Sequence, residues 1–132
     1  WEGVDYFATS ADHNVDLAPM CGRWGQTPRL HEIATLSGIP GKVDTEGGAV
    51  SELWLQGRLQ DILNYNEFDA ITTHLVWARI AHFAGLLSTP AYEHEQVLVR
   101  ALLEVEIGEG KKHFERYLEE WDRLKKLADK RL

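Results

Sequence analysis

Apolar residues recur every three or four positions along most of the chain after residue 30, a spacing that predicts amphipathic helices. The first predicted helix covers residues 30–37, with Gly38 as the residue that ends it and Pro40 preventing its continuation. A second, short helix begins at Val50 and ends at Gly57. Between the two helices, the residues are polar and rich in glycine, which predicts a loop.

The third predicted helix is the longest and spans about residues 59–87. Its apolar stripe consists of Leu59, Ile62, Leu63, Ile71, Leu75, Ala78 and Phe83. The later half of this helix is apolar around much of its circumference, so we expect it to lie at the centre of the core.

Two further helices complete the pattern. Ser88 as a hydroxyl cap and Pro90 in the first turn begin a helix that runs to about Ile107, where glycines interrupt it. We expect its inward residues to be Val97, Leu98, Ala101, Leu102 and Val105. The last helix covers about residues 111–130, and its predicted stripe is Phe114, Tyr117, Leu118, Trp121 and Leu124. Trp54 and Trp77 are also predicted to be core residues.

Composition agrees with a folded domain and narrows its function. The 132 residues are 44% hydrophobic and 27% charged, and no uncharged apolar window is long enough to span a membrane. The lone Cys21 cannot form an internal disulfide, which fits a cytoplasmic location. The net charge of −7 argues against binding nucleic acid mainly through Lys and Arg, but not against an enzyme whose metal ions contact phosphate. Because no Met precedes Trp1, we expect the chain to have been processed or to begin within a longer protein.

Tyr65 and Asp69 are the strongest candidates for chemistry. They are four residues apart on the longest helix, so they project from the same face about one turn apart. A carboxylate binds Mg²⁺ or Mn²⁺, and a nearby phenol can hydrogen-bond a water that the metal polarises. The same spacing also fits a partly buried tyrosine packed beneath a solvated aspartate, so the spacing alone leaves both interpretations open.

Other motifs favour structural roles. His74 and His82 are two helical turns apart, too far for one mononuclear metal site. The Gly38-x-x-Gly41-Lys42 segment lacks the glycine spacing and the hydroxyl residue of a phosphate-binding P-loop, so it is interpreted as a helix end and turn.

The order of several segments resembles a known enzyme family. The segments are Leu30-His31-Glu32-Ile33-Ala34, Gly38-Ile39-Pro40-Gly41-Lys42, Gly47-Gly48-Ala49-Val50 and Ile62-Leu63-Asn64-Tyr65-Asn66-Glu67-Phe68-Asp69, followed by Thr72 and Arg79. Together they resemble the predicted 3′–5′ exonucleases related to the proofreading domain of family B DNA polymerases. That family belongs to the DEDD superfamily, in the subclass whose third motif is Tyr-x-x-x-Asp. The resemblance covers about residues 15–87.

The resemblance implies a site and a fold. Asp69 would be a catalytic metal ligand for Mg²⁺ or Mn²⁺, and Tyr65 would position the attacking water. Asp16, in Val15-Asp16-Leu17, would be structural. The expected fold class is mainly α: the helical C-terminal half of a ribonuclease H-like α/β exonuclease fold. Residues 1–87 would be the C-terminal part of the exonuclease-like domain, loop-rich over 1–29 and helical over 30–87, and residues 88–132 would be a helical extension.

The chain departs from the family at its other motifs. The only Asp-x-Glu, Asp44-Thr45-Glu46, follows the turn in a glycine-rich loop, whereas the family's first motif lies on a strand well before it. The second motif is also missing upstream of residue 30, so we expect the strand-rich half to be absent and the fragment alone to be inactive. The complete enzyme would act on nucleic acid, DNA rather than RNA, with no membrane partner.

Two other functions remain open. One is a non-catalytic helical module for protein–protein interaction or homo-oligomerisation, because helices without their sheet would expose apolar surface. The other is a helical nucleic-acid-binding accessory domain, which the acidic charge disfavours.

Overall fold

The computed structural model describes residues 29–41 and 50–130, and within them it contains five helices and no strand. The helices are α1 (Leu30–Leu36), α2 (Val50–Leu55), α3 (Leu59–Phe83), α4 (Thr89–Gly108) and α5 (His113–Asp129). The prediction of a mainly α chain with five helices is therefore confirmed for the described part. The extended segment predicted at residues 15–17 lies outside it.

A tight turn closes α1 and brings the chain back against it. Gly38 has a φ of +73°, a backbone conformation that residues with a side chain rarely adopt, and the Ile39 N–H donates to the Ala34 carbonyl at 2.9 Å. Ile39 and Pro40 are buried behind this turn. At Gly41 the backbone passes so close to α1 that a Cβ would lie 2.5 Å from the carbonyl oxygen of His31, which only glycine permits.

Helix α3 lies at the centre of the described fold, as predicted, and contacts each of the other four helices. Its buried residues are Ile62, Phe68, Thr72, Leu75, Val76, Ala78 and Ala81. It ends at Phe83, four residues earlier than predicted. The prediction that Leu59, Leu63 and Phe83 belong to the buried stripe is wrong, because their side chains are 53%, 45% and 90% exposed. Ala81 takes the buried position near this end, and a residue two places later points to the opposite side of a helix.

Helix α4 buries a different face from the one predicted. The Ser88 hydroxyl accepts a hydrogen bond from the Ala91 N–H at 3.3 Å and caps the helix as expected. The buried residues are Tyr92, Val99 and Leu103, whereas the predicted inward residues Val97, Leu98, Ala101, Leu102 and Val105 are exposed. The helix has two apolar faces, and packing of Val99 and Leu103 on the core turns the other face outward.

Helix α5 buries the stripe that its sequence predicts. Phe114, Tyr117, Trp121 and Leu124 are all buried, and the Arg100 guanidinium of α4 lies 4.4 Å from the centre of the Trp121 ring. The prediction that Trp54 and Trp77 are core residues is wrong, since their side chains are 67% and 39% exposed. None of the described helices combines the length and apolar character needed to cross a membrane.

Candidate active site

Tyr65 and Asp69 lie one turn apart on α3, and their side chains are close enough that each contributes to the pKa shift of the other. Both residues are half-buried, and the aromatic ring of Phe68 beside them is buried. The structure therefore brings together the two residues selected from the sequence.

The surroundings of the pair disfavour the charged form of both groups. Burial raises the pKa of the Asp69 carboxyl above its ordinary value, although the hydrogen bond from Tyr65 partly opposes this effect. The pKa of Tyr65 is also raised, first by burial and then by the negative charge of Asp69 and the hydrogen bond to it. A carboxylate in this position would gain from a nearby positive charge, such as a divalent cation.

The described residues provide only one acidic ligand at this position. Among residues 29–41 and 50–130, no group of three or more His, Cys, Asp or Glu residues is arranged to hold a metal ion. His74 bonds to Glu95 at 3.3 Å, and His82 bonds to the Thr89 hydroxyl at 3.1 Å, so these histidines take structural partners. The donor chemistry of Asp69 fits Mg²⁺ or Mn²⁺, but a complete coordination shell needs ligands from elsewhere.

A buried hydrogen-bonded link lies one turn beyond Asp69. The Thr72 hydroxyl donates to the carbonyl oxygen of Pro40 at 2.8 Å and is also 2.8 Å from the Tyr117 hydroxyl. The link ties the turn after α1, the motif helix α3 and the last helix α5 together. Sequence reasoning singled out the turn and the motif but missed their connection, because Thr72 and Tyr117 are 45 residues apart and looked like ordinary positions on apolar faces.

The opposite side of α3 holds a separate polar groove of about 430 Å³. It is lined by Gln60, Asn64, Glu67, Gly110, Lys111, Lys112 and His113. The Glu67 carboxylate lies 3.2 Å from His113 and 3.4 Å from Lys111, and the same Lys111 ammonium lies 2.8 Å from Glu106. Because Glu67 precedes Asp69 by two residues, its side chain points about 160° away around the helix, so this groove is distinct from the candidate site.

Several residues considered in the sequence lie outside the described part of the chain. They are Asp16, Lys42 and the Asp44-Thr45-Glu46 segment. Their roles stay predictions, as does the division of the chain after residue 87.

Comparison with known protein families gave a match. The model of a family described as "Predicted 3′-5′ exonuclease related to the exonuclease domain of PolB" matches residues 1–121, which includes Tyr65, Asp69, Thr72 and Tyr117. Searches of the curated proteins and of the solved structures found no match. The matched residues make up most of the chain and extend well into α5. The chain therefore belongs to this family of predicted 3′–5′ exonucleases related to the exonuclease domain of PolB.

Proposed function

We propose that this chain contributes the third acidic motif, Tyr65 and Asp69, to a metal-dependent 3′–5′ exonuclease. The observation that carries the proposal is the half-buried pair of interacting side chains on the central helix of a chain that belongs to this family. The spacing of the pair matches the Tyr-x-x-x-Asp motif, and Thr72, one turn after Asp69, bonds to the turn after α1.

Each side chain has a distinct role in phosphodiester hydrolysis. Asp69 would hold a divalent cation, and a metal at this position supplies charge stabilisation and a more acidic bound water. Tyr65 would orient the attacking water through its hydroxyl, within one helical turn of the carboxylate. The Tyr65 hydroxyl, whose ordinary pKa of 10.0 is raised further by burial, is protonated at neutral pH, and its oxygen can also accept a hydrogen bond from water.

The substrate follows from the family and from charge. Kinship with the exonuclease domain of PolB favours a nucleic acid 3′ end, and DNA rather than RNA. With a net charge of −7, the chain is suited to reach phosphate through Mg²⁺ or Mn²⁺ rather than through a basic surface. A single aspartate cannot hold two metals, so the remaining acidic ligands must come from other residues, and the described part alone would be inactive.

The test is exonuclease activity of the full-length protein on 3′-labelled single-stranded DNA with Mn²⁺. Asp69→Ala should abolish shortening of the DNA, and Tyr65→Phe should reduce it by about ten- to a hundredfold, as expected for loss of one positioning group. Asp61→Asn is the matched control, because Asp61 lies two turns earlier on α3 and pairs only with the exposed Arg58. Full activity of Asp69→Ala would rule out the proposed function.

The second candidate function is self-association through the exposed apolar face of α4. Val97, Leu98, Leu102 and Val105 are each about half exposed or more, and Val97 and Val105 are spaced evenly on either side of the small Ala101. An antiparallel pair of identical helices about Ala101 would place Val97 of one copy opposite Val105 of the other. This exposed face and its symmetric spacing support a second copy of this chain as the partner.

Molar mass measured by light scattering over a range of concentrations tests this candidate. Leu102→Gln should shift a dimer toward monomer, while Leu127→Gln, which changes an exposed leucine on α5, should leave the mass unchanged. A wild-type chain that remains monomeric at the highest concentration would exclude self-association.

A further inference from the structure

The link between Pro40, Thr72 and Tyr117 lies in the interior of the described fold. The Thr72 and Tyr117 residues are 1% and 0% exposed, and Pro40 is also fully buried. A hydroxyl removed from water in this way must find partners inside the protein, and here each does, at 2.8 Å. The three segments are therefore joined by directional contacts as well as by apolar packing.

The direction of each bond follows from counting protons. A threonine hydroxyl has one hydrogen, and the Thr72 hydroxyl donates it to the Pro40 carbonyl, which can only accept. Tyr117 must then donate its own hydrogen to the Thr72 oxygen. The result is a chain of donors that runs from α5 through α3 to the turn after α1, and each group has one defined orientation.

This chain of donors sits directly beside the candidate catalytic pair. Thr72 follows Asp69 by three residues, so the two side chains are neighbours on α3. The Tyr117 ring stacks on Phe68, the residue just before Asp69, with ring centres 5.7 Å apart. Burial raises the pKa of Tyr117, the hydrogen bond with Thr72 lowers it in part, and the nearby charge of Asp69 raises it, so the phenol stays protonated.

We infer that Tyr117 is a positioning residue for the Asp69–Tyr65 pair. By donating to Thr72 and stacking on Phe68, it holds α3 at one rotation about its axis against the turn after α1, and so sets the direction of the Asp69 carboxylate. The inference rests on the proposed function for its catalytic consequence, while its geometric part stands on the contacts alone. Helix α5, more than forty residues from the motif, thereby becomes part of the active-site framework.

The kinetic test is Tyr117→Phe in the full-length protein, a change that keeps the ring stacked on Phe68 and removes only the hydroxyl. We expect kcat to fall on the order of tenfold, because a shift of about 1 Å in a catalytic group can cost a hundredfold. The half-saturating concentration of Mn²⁺ should rise, and KM for single-stranded DNA should remain unchanged. Tyr92→Phe is the matched control. It removes the hydroxyl of a buried tyrosine whose ring stacks on His82 at the other end of α3.

A second pair of variants separates positioning from stability. Thr72→Ser keeps the hydroxyl and should retain kcat and the Mn²⁺ dependence, whereas Thr72→Val removes it and should reproduce the loss seen with Tyr117→Phe. A role limited to stability would lower the melting temperature in proportion to the lost bonds and leave kcat of the folded protein unchanged. That result would overturn the inference.

A measurement independent of activity distinguishes failure of the inference from failure of the proposed function. In protein labelled with ¹³C at aspartate carboxyl groups, Tyr117→Phe should move the Asp69 resonance at neutral pH, and Tyr92→Phe should not. An unmoved Asp69 resonance overturns the positioning role even if Asp69 is essential for activity. A moved resonance in a protein whose Asp69→Ala variant is fully active supports the geometric part and rejects the catalytic one.

Discussion

Helices α4 and α5 are similar in length, pack against each other and against α3, and use their apolar residues in opposite ways. Helix α5 buries four residues of its predicted stripe, including Tyr117 and Trp121, against the core, and Leu118 is partly buried beside them. Helix α4 buries Val99 and Leu103 but leaves a second apolar face, with Leu102 at its centre, exposed. Helix α5 thus has one apolar face, which is buried, whereas α4 has two apolar faces, one buried and one exposed.

The difference shows what helical periodicity can and cannot determine. The outer face of α5 carries charged residues, so only one orientation removes apolar surface from water. In α4, Leu102 and Leu103 are adjacent and about 100° apart around the helix, so either could face the core on pattern alone. Contacts with the other helices determine which of the two leucines faces the core, and the sequence of α4 alone does not reveal these contacts.

The largest expected effect is on the buried side of α5. Trp121→Ala should reduce the free energy of unfolding by about 3–5 kcal/mol, because it leaves a cavity beneath Arg100 and beside Tyr117. Urea denaturation followed by circular dichroism measures this loss. A cost below about 1 kcal/mol would show that α5 does not pack as described and would remove the contrast with α4.

The most direct test of the contrast uses two adjacent leucines of α4. Leu103→Ala, at a fully buried position, should lower the free energy of unfolding by about 2–5 kcal/mol. Leu102→Ala, at a position that is 50% exposed, should change it by about 0.5 kcal/mol or less. Equal losses in urea denaturation at low protein concentration would break the comparison, because both leucines would then be buried.

A smaller effect is expected where α5 meets the motif helix through polar contacts. Thr72→Val keeps the shape of the side chain but leaves the buried Pro40 carbonyl and Tyr117 hydroxyl without partners, at a cost of about 1–3 kcal/mol. Thr72→Ser is the control and should cost less than Thr72→Val, because the hydroxyl remains. Thermal unfolding of both variants gives the comparison, and a Thr72→Ser variant less stable than Thr72→Val would contradict it.

The smallest effect is the pH dependence that Asp69 introduces. Its pKa in the folded chain is raised above the ordinary 3.8, so the folded state holds this proton more tightly than the unfolded state. The resulting stability is present below the unfolded pKa and is lost as pH rises through the folded pKa. As the pH rises from about 3 to about 7, the free energy of unfolding of Asp69→Asn should therefore increase relative to that of wild type. Unfolding curves that give the same difference in unfolding free energy between variant and wild type at both pH values would contradict the raised pKa of Asp69.

Much of the fold was predictable because particular residue types in the sequence indicate where helices begin and end. Gly38 has positive φ where α1 closes, Ser88 caps α4, and both features were readable as residue types. The inward face of α4 and the exposure of Trp54 were not, since each depends on which neighbour is available to cover an apolar side chain. Burial is a property of the assembled fold, whereas capping is a property of a few adjacent residues.

The candidate site divides in the same way. The spacing of Tyr65 and Asp69 predicted that they share a face, and the structure adds the interaction of their side chains and the burial that raises the pKa of Asp69. The contact between Thr72 and Tyr117 was not predicted, because it joins distant segments through polar atoms at positions that an apolar pattern also accepts. A threonine in the middle of an otherwise apolar face was the only local sign.

Gly41 allows the close approach of the turn after α1 that places the Pro40 carbonyl in the polar link. With a hydrogen in place of a side chain, the turn lies directly on the His31 backbone, closer than any Cβ would allow. The carbonyl that Thr72 needs belongs to the residue just before this point of closest approach. A single methyl group added at Gly41 would clash with the His31 backbone, push the turn away from α1 and so displace the neighbouring Pro40 carbonyl to which Thr72 donates.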